Sequence, residues 1–85
     1  MQENNFLKIK IIFIYLNKRE EFFSDFFFIN TENHDYSIFL DHKDLILSLK
    51  NSNLKFFINE KIKDEKKNIN GIFFLKNNTA SFIVN

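Results

Sequence analysis

The sequence predicts an α+β fold in a single domain, residues 1–85: a small antiparallel β-sheet of about five to six strands, with one short helix over residues 41–51 packed on one face. Three observations lead there. Apolar residues recur at period two near both ends of the chain and again after residue 54, the mark of strands on a sheet. Asn77-Asn78 stands between two such runs and suits a tight hairpin turn, because Asn tolerates positive φ. Between them, Asp41 to Asn51 carries the start and stop signals of a helix.

Phe6 to Leu16 places Leu7, Ile9, Ile11, Phe13 and Tyr15 on one face, with Lys8 and Lys10 on the other. Ile12, Ile14 and Leu16 then make the second face apolar as well, as in a central strand covered on both sides. The next segment, Glu20 to Asn30, packs five phenylalanines into seven residues, 22–28. It reads as a polar turn over Asn17–Glu21, a strand over Phe22–Asn30, a second turn over Thr31–Asp35 and a return strand over Tyr36–Leu40. On that strand Phe22, Phe26 and Phe28 point one way, and Phe23, Phe27 and Ile29 the other. A helix over Asn17–Phe28 is the competing reading, with Asn17 and Glu20 as a capping box. Phe is a modest helix former, and Phe28-Ile29 continue the apolar run past the helical face, which favours the strand.

The helix over 41–51 takes Asp41 as its N-cap, Asp44 at the third helical position and Leu40 with Leu45 as a hydrophobic staple. Leu45, Ile46 and Leu49 form its core stripe, and Asn51-Ser52-Asn53 ends it. Leu54 to Ile62 alternates again, with Leu54, Phe56, Ile58 and Ile62 inward, although Phe57 breaks the outward polar pattern. Lys63 to Asn70 reads as a charged loop. In the C-terminal hairpin the Asn-Asn turn pairs Lys76 with Thr79, Leu75 with Ala80, Phe74 with Ser81, Phe73 with Phe82 and Ile72 with Ile83. A slip of one residue would scramble its apolar face.

Composition narrows the function classes. Lys plus Arg is 12 against 11 for Asp plus Glu, which gives no global attraction to phosphate or anionic lipid. The longest uninterrupted apolar run, Ile11–Leu16, is six residues, while a spanning helix needs about 20. Neither a membrane span nor a signal peptide is expected, and the expected address is cytoplasmic. There is no cysteine, which removes disulfides and thiolate ligands. Asn, Lys, Ile and Phe supply 49 of the 85 residues, all with AT-rich codons, so an AT-rich genome accounts for part of the Phe excess.

Candidate chemistry is sparse. His34-Asp35 and Asp41-His42-Lys43-Asp44 are the His–carboxylate groupings, and each falls in a turn or a cap. No second His lies at metal-ligand spacing, Ser24 has no evident base, and the lone Gly71 cannot build a phosphate loop. No catalytic residue, metal or cofactor is expected. Lys55, Lys61, Lys63, Lys66 and Lys67, near Phe56 and Phe57, form the alternative: a basic strip with stacking rings for single-stranded nucleic acid or a ribonucleoprotein.

The informative anomaly is a sheet that is apolar on both faces beside a single short helix, which can cover only one. Uncovered aromatics on a sheet mark protein interfaces. The expected function is therefore a non-enzymatic protein-binding module acting by steric occlusion. Its binding residues would be Phe22, Phe23, Phe26 and Phe28, flanked by Glu20, Glu21 and Asp25. Its partner would be a larger protein or ribonucleoprotein, or a second copy of the chain; a structural subunit of an assembly has the same signature. In size, codon bias and lack of catalytic groups the chain looks like the short inhibitors of phages and mobile elements in AT-rich hosts. That class includes anti-CRISPR proteins, antitoxins and immunity proteins.

Overall fold

The period-two pattern runs through nearly the whole chain, and the backbone follows it. The computed structural model describes residues 7–85; Phe6, the expected start of the first strand, lies outside them. Seven strands follow: β1 (Ile9–Ile14), β2 (Arg19–Ser24), β3 (Phe26–Asn30), β4 (Asp35–Ile38), β5 (Leu45–Ile58), β6 (Lys61–Lys76) and β7 (Thr79–Val84). They form one sheet in the order β2-β1-β7-β6-β5-β3-β4. β1 and β7 run parallel, and every other pair is antiparallel. The α+β expectation is thus corrected in helix content, strand number and sheet type. The described residues form no α-helix, and the sheet is mixed.

The expected helix over 41–51 fails for two reasons. Asp41 has a φ of 63°, in the left-handed region, whereas an N-cap needs an extended conformation. It pairs instead with the distant Asn78: its N–H donates to Asn78 Oδ1 at 2.6 Å, and Asn78 Nδ2 donates to Asp41 Oδ1 at 3.0 Å. From Leu45 the true period is two. Leu49 is buried and Leu45 and Leu47 are half-buried, while Ile46, Ser48 and Lys50 face out. The partners that fix this are Leu75, Phe73 and Gly71 on β6, opposite Leu45, Leu47 and Leu49.

The charged stretch 63–70, expected as a loop, lies inside β6. What the local sequence lacks there, β5 supplies by pairing along it. The strand expected over 54–62 is split by a turn at Asn59-Glu60, with φ values of 53° and 65°, the primed geometry that suits a two-residue hairpin. Ile62 therefore sits on β6 and is exposed rather than inward. The C-terminal hairpin has the register read from the sequence, from Lys76↔Thr79 to Ile72↔Ile83, and both turn asparagines have positive φ.

Asparagine does the work usually given to glycine. Of the seven non-glycine residues with positive φ among the described residues, Asn51, Asn59, Asn68, Asn77 and Asn78 are five, consistent with its tolerance of that region. Asn51 and Asn68 sit where the β5–β6 ladder is irregular. Asn51 N–H donates to Asn70 Oδ1 at 3.0 Å, and Asn68 N–H to Asn53 Oδ1 at 3.2 Å, so side-chain amides satisfy backbone donors that the ladder leaves unpaired. Straight, the 16 residues of β6 would extend about 50 Å, beyond the molecule's 39 Å length. The register shifts at Leu49/Ser52, Ser52/Leu54 and Phe56/Phe57 bend the hairpin around the core.

The sheet also curls round on itself. β2 and β3 are separated only by Asp25, yet β2 pairs with β1 at one end of the order and β3 pairs with β5 near the other. The continuous β2–β3 segment thereby closes a small barrel of β1, β7, β6, β5 and itself, with β4 added outside on β3. Inside are Phe13, Phe27, Phe56, Phe73 and Phe82, all fully buried with Ile9, Ile11, Ile29, Ile38 and Leu54. Phe13 stacks on Phe82 at 4.5 Å, and Phe82 lies 4.8 Å from Phe73. Five of the twelve phenylalanines among the described residues thus fill the core.

Candidate functional site

The corner at Asp25 decides which rings lie outside the core. Before it, Phe22 and Ser24 point inward; after it, Phe27 and Ile29 do. The inward parity therefore switches across the corner, which an uninterrupted strand could not do. Phe22 is separated from Phe26 and Phe28 and packs onto the core, 5.2 Å from Phe56 and 6.3 Å from Phe13.

Phe26 and Phe28 remain outside and gather two rings the sequence reading had not joined to them. Phe26 stacks on Phe57 at 4.8 Å and on Phe39 at 5.4 Å, and Phe28 lies 5.3 Å from Phe57. Phe57 belongs to this outer cluster because β5 pairs it with Phe26. Its breaking of the polar alternation after residue 54 was the signal for it. Phe39, just past β4, is 53% exposed and forms the open edge. Phe23 lies elsewhere on the outside, opposite Lys10 on β1.

The three acids expected beside the rings are held within the chain. Glu20 pairs with Lys66 at 3.0 Å, and Lys66 also reaches Asp64 at 3.3 Å and stands 4.8 Å above the Phe13 ring. Burial alone would lower the Lys66 pKa, but the hydrogen bond it donates to Glu20 and the neighbouring Asp64 and Tyr15 hold it above its ordinary value. Glu21 pairs with Arg19 at 2.6 Å and Lys10 at 3.2 Å, and these hydrogen bonds keep its carboxyl below the ordinary range. Asp25 accepts from Lys8 at 2.6 Å and from the Asn59 N–H at 2.8 Å, which lower its pKa in that order.

A second apolar surface covers the outer face of β5, β6, β7 and β1. Cross-strand pairs run Ile46–Phe74–Ser81–Ile12 in one row and Ser48–Ile72–Ile83–Ile14 in the next. Ile46 is 77% exposed, and Ile72, Ile83 and Phe74 are also open to solvent. Directly paired residues project from the same face, so these side chains share one face, on which Ile46, Ile72, Phe74 and Ile83 are exposed while Ile12 and Ser81 are buried.

The five lysines of the nucleic-acid alternative do not form one strip. Lys66 is largely covered, Lys55 faces Glu65 at 3.7 Å, and Lys61, Lys63 and Lys67 are exposed on β6. Phe56 is fully buried and Phe57 is engaged in the outer cluster. His34 closes a turn with Thr31, its N–H donating to Thr31 Oγ1 at 2.9 Å. Asp41, His42 and Asp44 line a shallow open depression beside Asn77 and Asn78. Among the described residues no group of three or more His, Asp or Glu side chains is placed to hold a metal ion, and no helix is long and apolar enough to cross a membrane. No protein-family model matches the chain, and no curated protein matches its sequence.

Proposed function

We propose that the chain is a non-enzymatic protein-binding module that works in the cytoplasm by covering a functional surface of a larger protein, in the manner of small phage or mobile-element inhibitors. The observation that supports this is the outer cluster of Phe26, Phe28, Phe39 and Phe57, four linked rings on the outer side of β3 and β5, with Phe39 exposed and the other three half-buried. Aromatic side chains lose little conformational entropy on binding and bury large areas, which makes them the usual anchors of interfaces. Here stacking holds them in place before binding, further lowering that cost. The barrel supplies rigidity, and the internal pairs of Glu20, Glu21 and Asp25 fix the strand and corner from which the rings project.

Affinity capture from the native host tests this reading. One stoichiometric protein should be recovered by the wild-type chain and lost with Phe28→Ser combined with Phe39→Ser. Each ring contributes roughly 1.5–3 kcal/mol on burial, so the double change should weaken binding by at least about 100-fold. Undiminished capture by a folded double variant would contradict it.

A further inference from the structure

The first half of β5 keeps one edge open. β5 pairs with β6 along its length, but β3 reaches it only from Asn53 to Phe57, so no described strand pairs with Leu45–Lys50 on that side. The ladder fixes where the backbone groups point. The Asn85 N–H donates to the Asn70 carbonyl, so alternate residues of β6 from Asn70 to Lys76 turn their backbone polar groups to β7, and Gly71, Phe73 and Leu75 turn theirs to β5. Their partners Leu49, Leu47 and Leu45 are bonded to β6, and Ile46, Ser48 and Lys50 aim their N–H and C=O groups away from it. Ser52 Oγ takes the Lys50 carbonyl at 3.2 Å, which leaves both groups of Ile46 and Ser48 and the N–H of Lys50 for the open edge. All three residues are exposed. A depression of about 210 Å³ lies beside Leu47, Ser48 and Lys50, across from the Thr31–His34 turn. Exposed edges are usually interrupted by a charge, a proline or a bulge, and Leu45–Leu49 contains none of these. Asp44 and Lys50 close the stretch at its two ends.

We infer that two copies of the chain join their sheets by pairing this edge antiparallel to itself, about a two-fold axis at Leu47. Unpaired backbone groups in a row fit an extended strand, and the end charges decide which strand. In that register Ile46 exchanges both ladder hydrogen bonds with Ser48 of the second copy, Leu45 stands opposite Leu49, and Leu47 meets its counterpart. Asp44 of each copy then stands opposite Lys50 of the other, and the symmetry makes the pair twice. Neither charge is satisfied within one chain. Asp44 continues the β5 register opposite Lys76, and Lys50 shares its depression with Glu32, yet none of these four side chains forms an ion pair among the described residues. A shift of the register to the next hydrogen-bonded pairing, in either direction, sets Lys50 opposite Ile46 or His42 and leaves Asp44 opposite a serine. In-register parallel pairing sets each charge against its like, which is unfavourable. The inference goes beyond the protein-binding reading and uses none of the four outer rings.

Light scattering on the full chain, from about 1 μM to about 1 mM, should show the mass rising from 10.3 kDa to twice that value. Ser48→Pro removes an N–H from the open edge and none from the β6 ladder, so it should hold the chain at the monomer mass with the circular dichroism of the wild type. Asp44→Lys and Lys50→Asp should each weaken dimerisation by about tenfold, and the two changes together should restore it, because the opposite charges then meet again. That set alters no backbone group and decides the matter should Ser48→Pro not fold. A monomer throughout the concentration range overturns the inference. So does a dimer that a folded Ser48→Pro variant leaves intact, or one in which the two charge reversals add instead of cancelling. A dimer dissociated by Phe28→Ser with Phe39→Ser would place the contact at the four-ring cluster and overturn it as well. A monomeric chain that still captures a host protein would leave the protein-binding reading standing without this edge.

Discussion

Ser24 Oγ meets both backbone polar groups of Phe57: it accepts from the Phe57 N–H at 3.2 Å and lies 3.0 Å from the Phe57 carbonyl as a donor. Residues 24 and 57 are distant in the chain, and this contact is where the β2–β3 corner seals against β5. The same hydroxyl is 2.7 Å from the Phe26 carbonyl, and the Asp25 N–H donates to the Phe57 carbonyl at 2.8 Å. Ser24 is fully buried, so its bonds have no water to replace them.

Ser24→Ala should therefore cost about 1–3 kcal/mol, the range for stranding a buried donor. Urea unfolding measures it through the transition midpoint. A change under about 0.5 kcal/mol would mean that the corner is sealed by other contacts.

The pH dependence follows from three pairs. Asp25 and Glu21 have folded pKa values below their ordinary 3.8 and 4.5, so their contribution is present above those values and is lost as pH falls through the lower folded values. Lys66 is raised above its ordinary 10.5, so its contribution is full below that pH and is lost as pH climbs through the raised value. Stability should be flat between these limits for these groups. Asp25→Asn should flatten the acid limb, read by thermal melting from pH 2 to pH 6, and an unchanged limb would remove Asp25 from the account.

Left-handed positions give a paired prediction. Glu60 holds a φ of 65° without the local side-chain support that Asn offers there, so Glu60→Gly should stabilise by roughly 0.5–1 kcal/mol. Gly71 is the opposite case: with φ at 148°, an added Cβ would lie 1.9 Å from the Ile83 carbonyl oxygen on β7. Gly71→Ala should destabilise by more than about 4 kcal/mol. Denaturant titration distinguishes the two signs.

These elements also show what the sequence reveals and what it hides. The β6–β7 hairpin is legible because its turn and both strands lie within a short window, and each residue choice agrees with the same register. Leu45–Lys50 is misleading because Leu45, Ile46 and Leu49 fit a helical stripe as well as a strand. The decision comes from Phe73 and Leu75, far along the chain, and from Asn78 holding Asp41. At the candidate site, the outward placement of Phe26 and Phe28 follows from the run of rings. The inward turn of Phe22 does not, because the parity change at Asp25 depends on closing the barrel against Phe57. The apolar outer rows of β5 to β1 are visible as Ile12, Ile14, Ile72, Phe74 and Ile83, but only the register joins them to Ile46.

The central claim is that the barrel's inner rings hold the fold while the outer rings are left for binding. Parallel urea unfolding of Phe27→Ala and Phe39→Ala tests it most directly. Phe27 is fully buried and Phe39 is 53% exposed, so the account predicts a loss of about 3–5 kcal/mol for the first and under about 1 kcal/mol for the second. Equal losses would show that the outer ring is as much a part of the core as the inner one, and would contradict it.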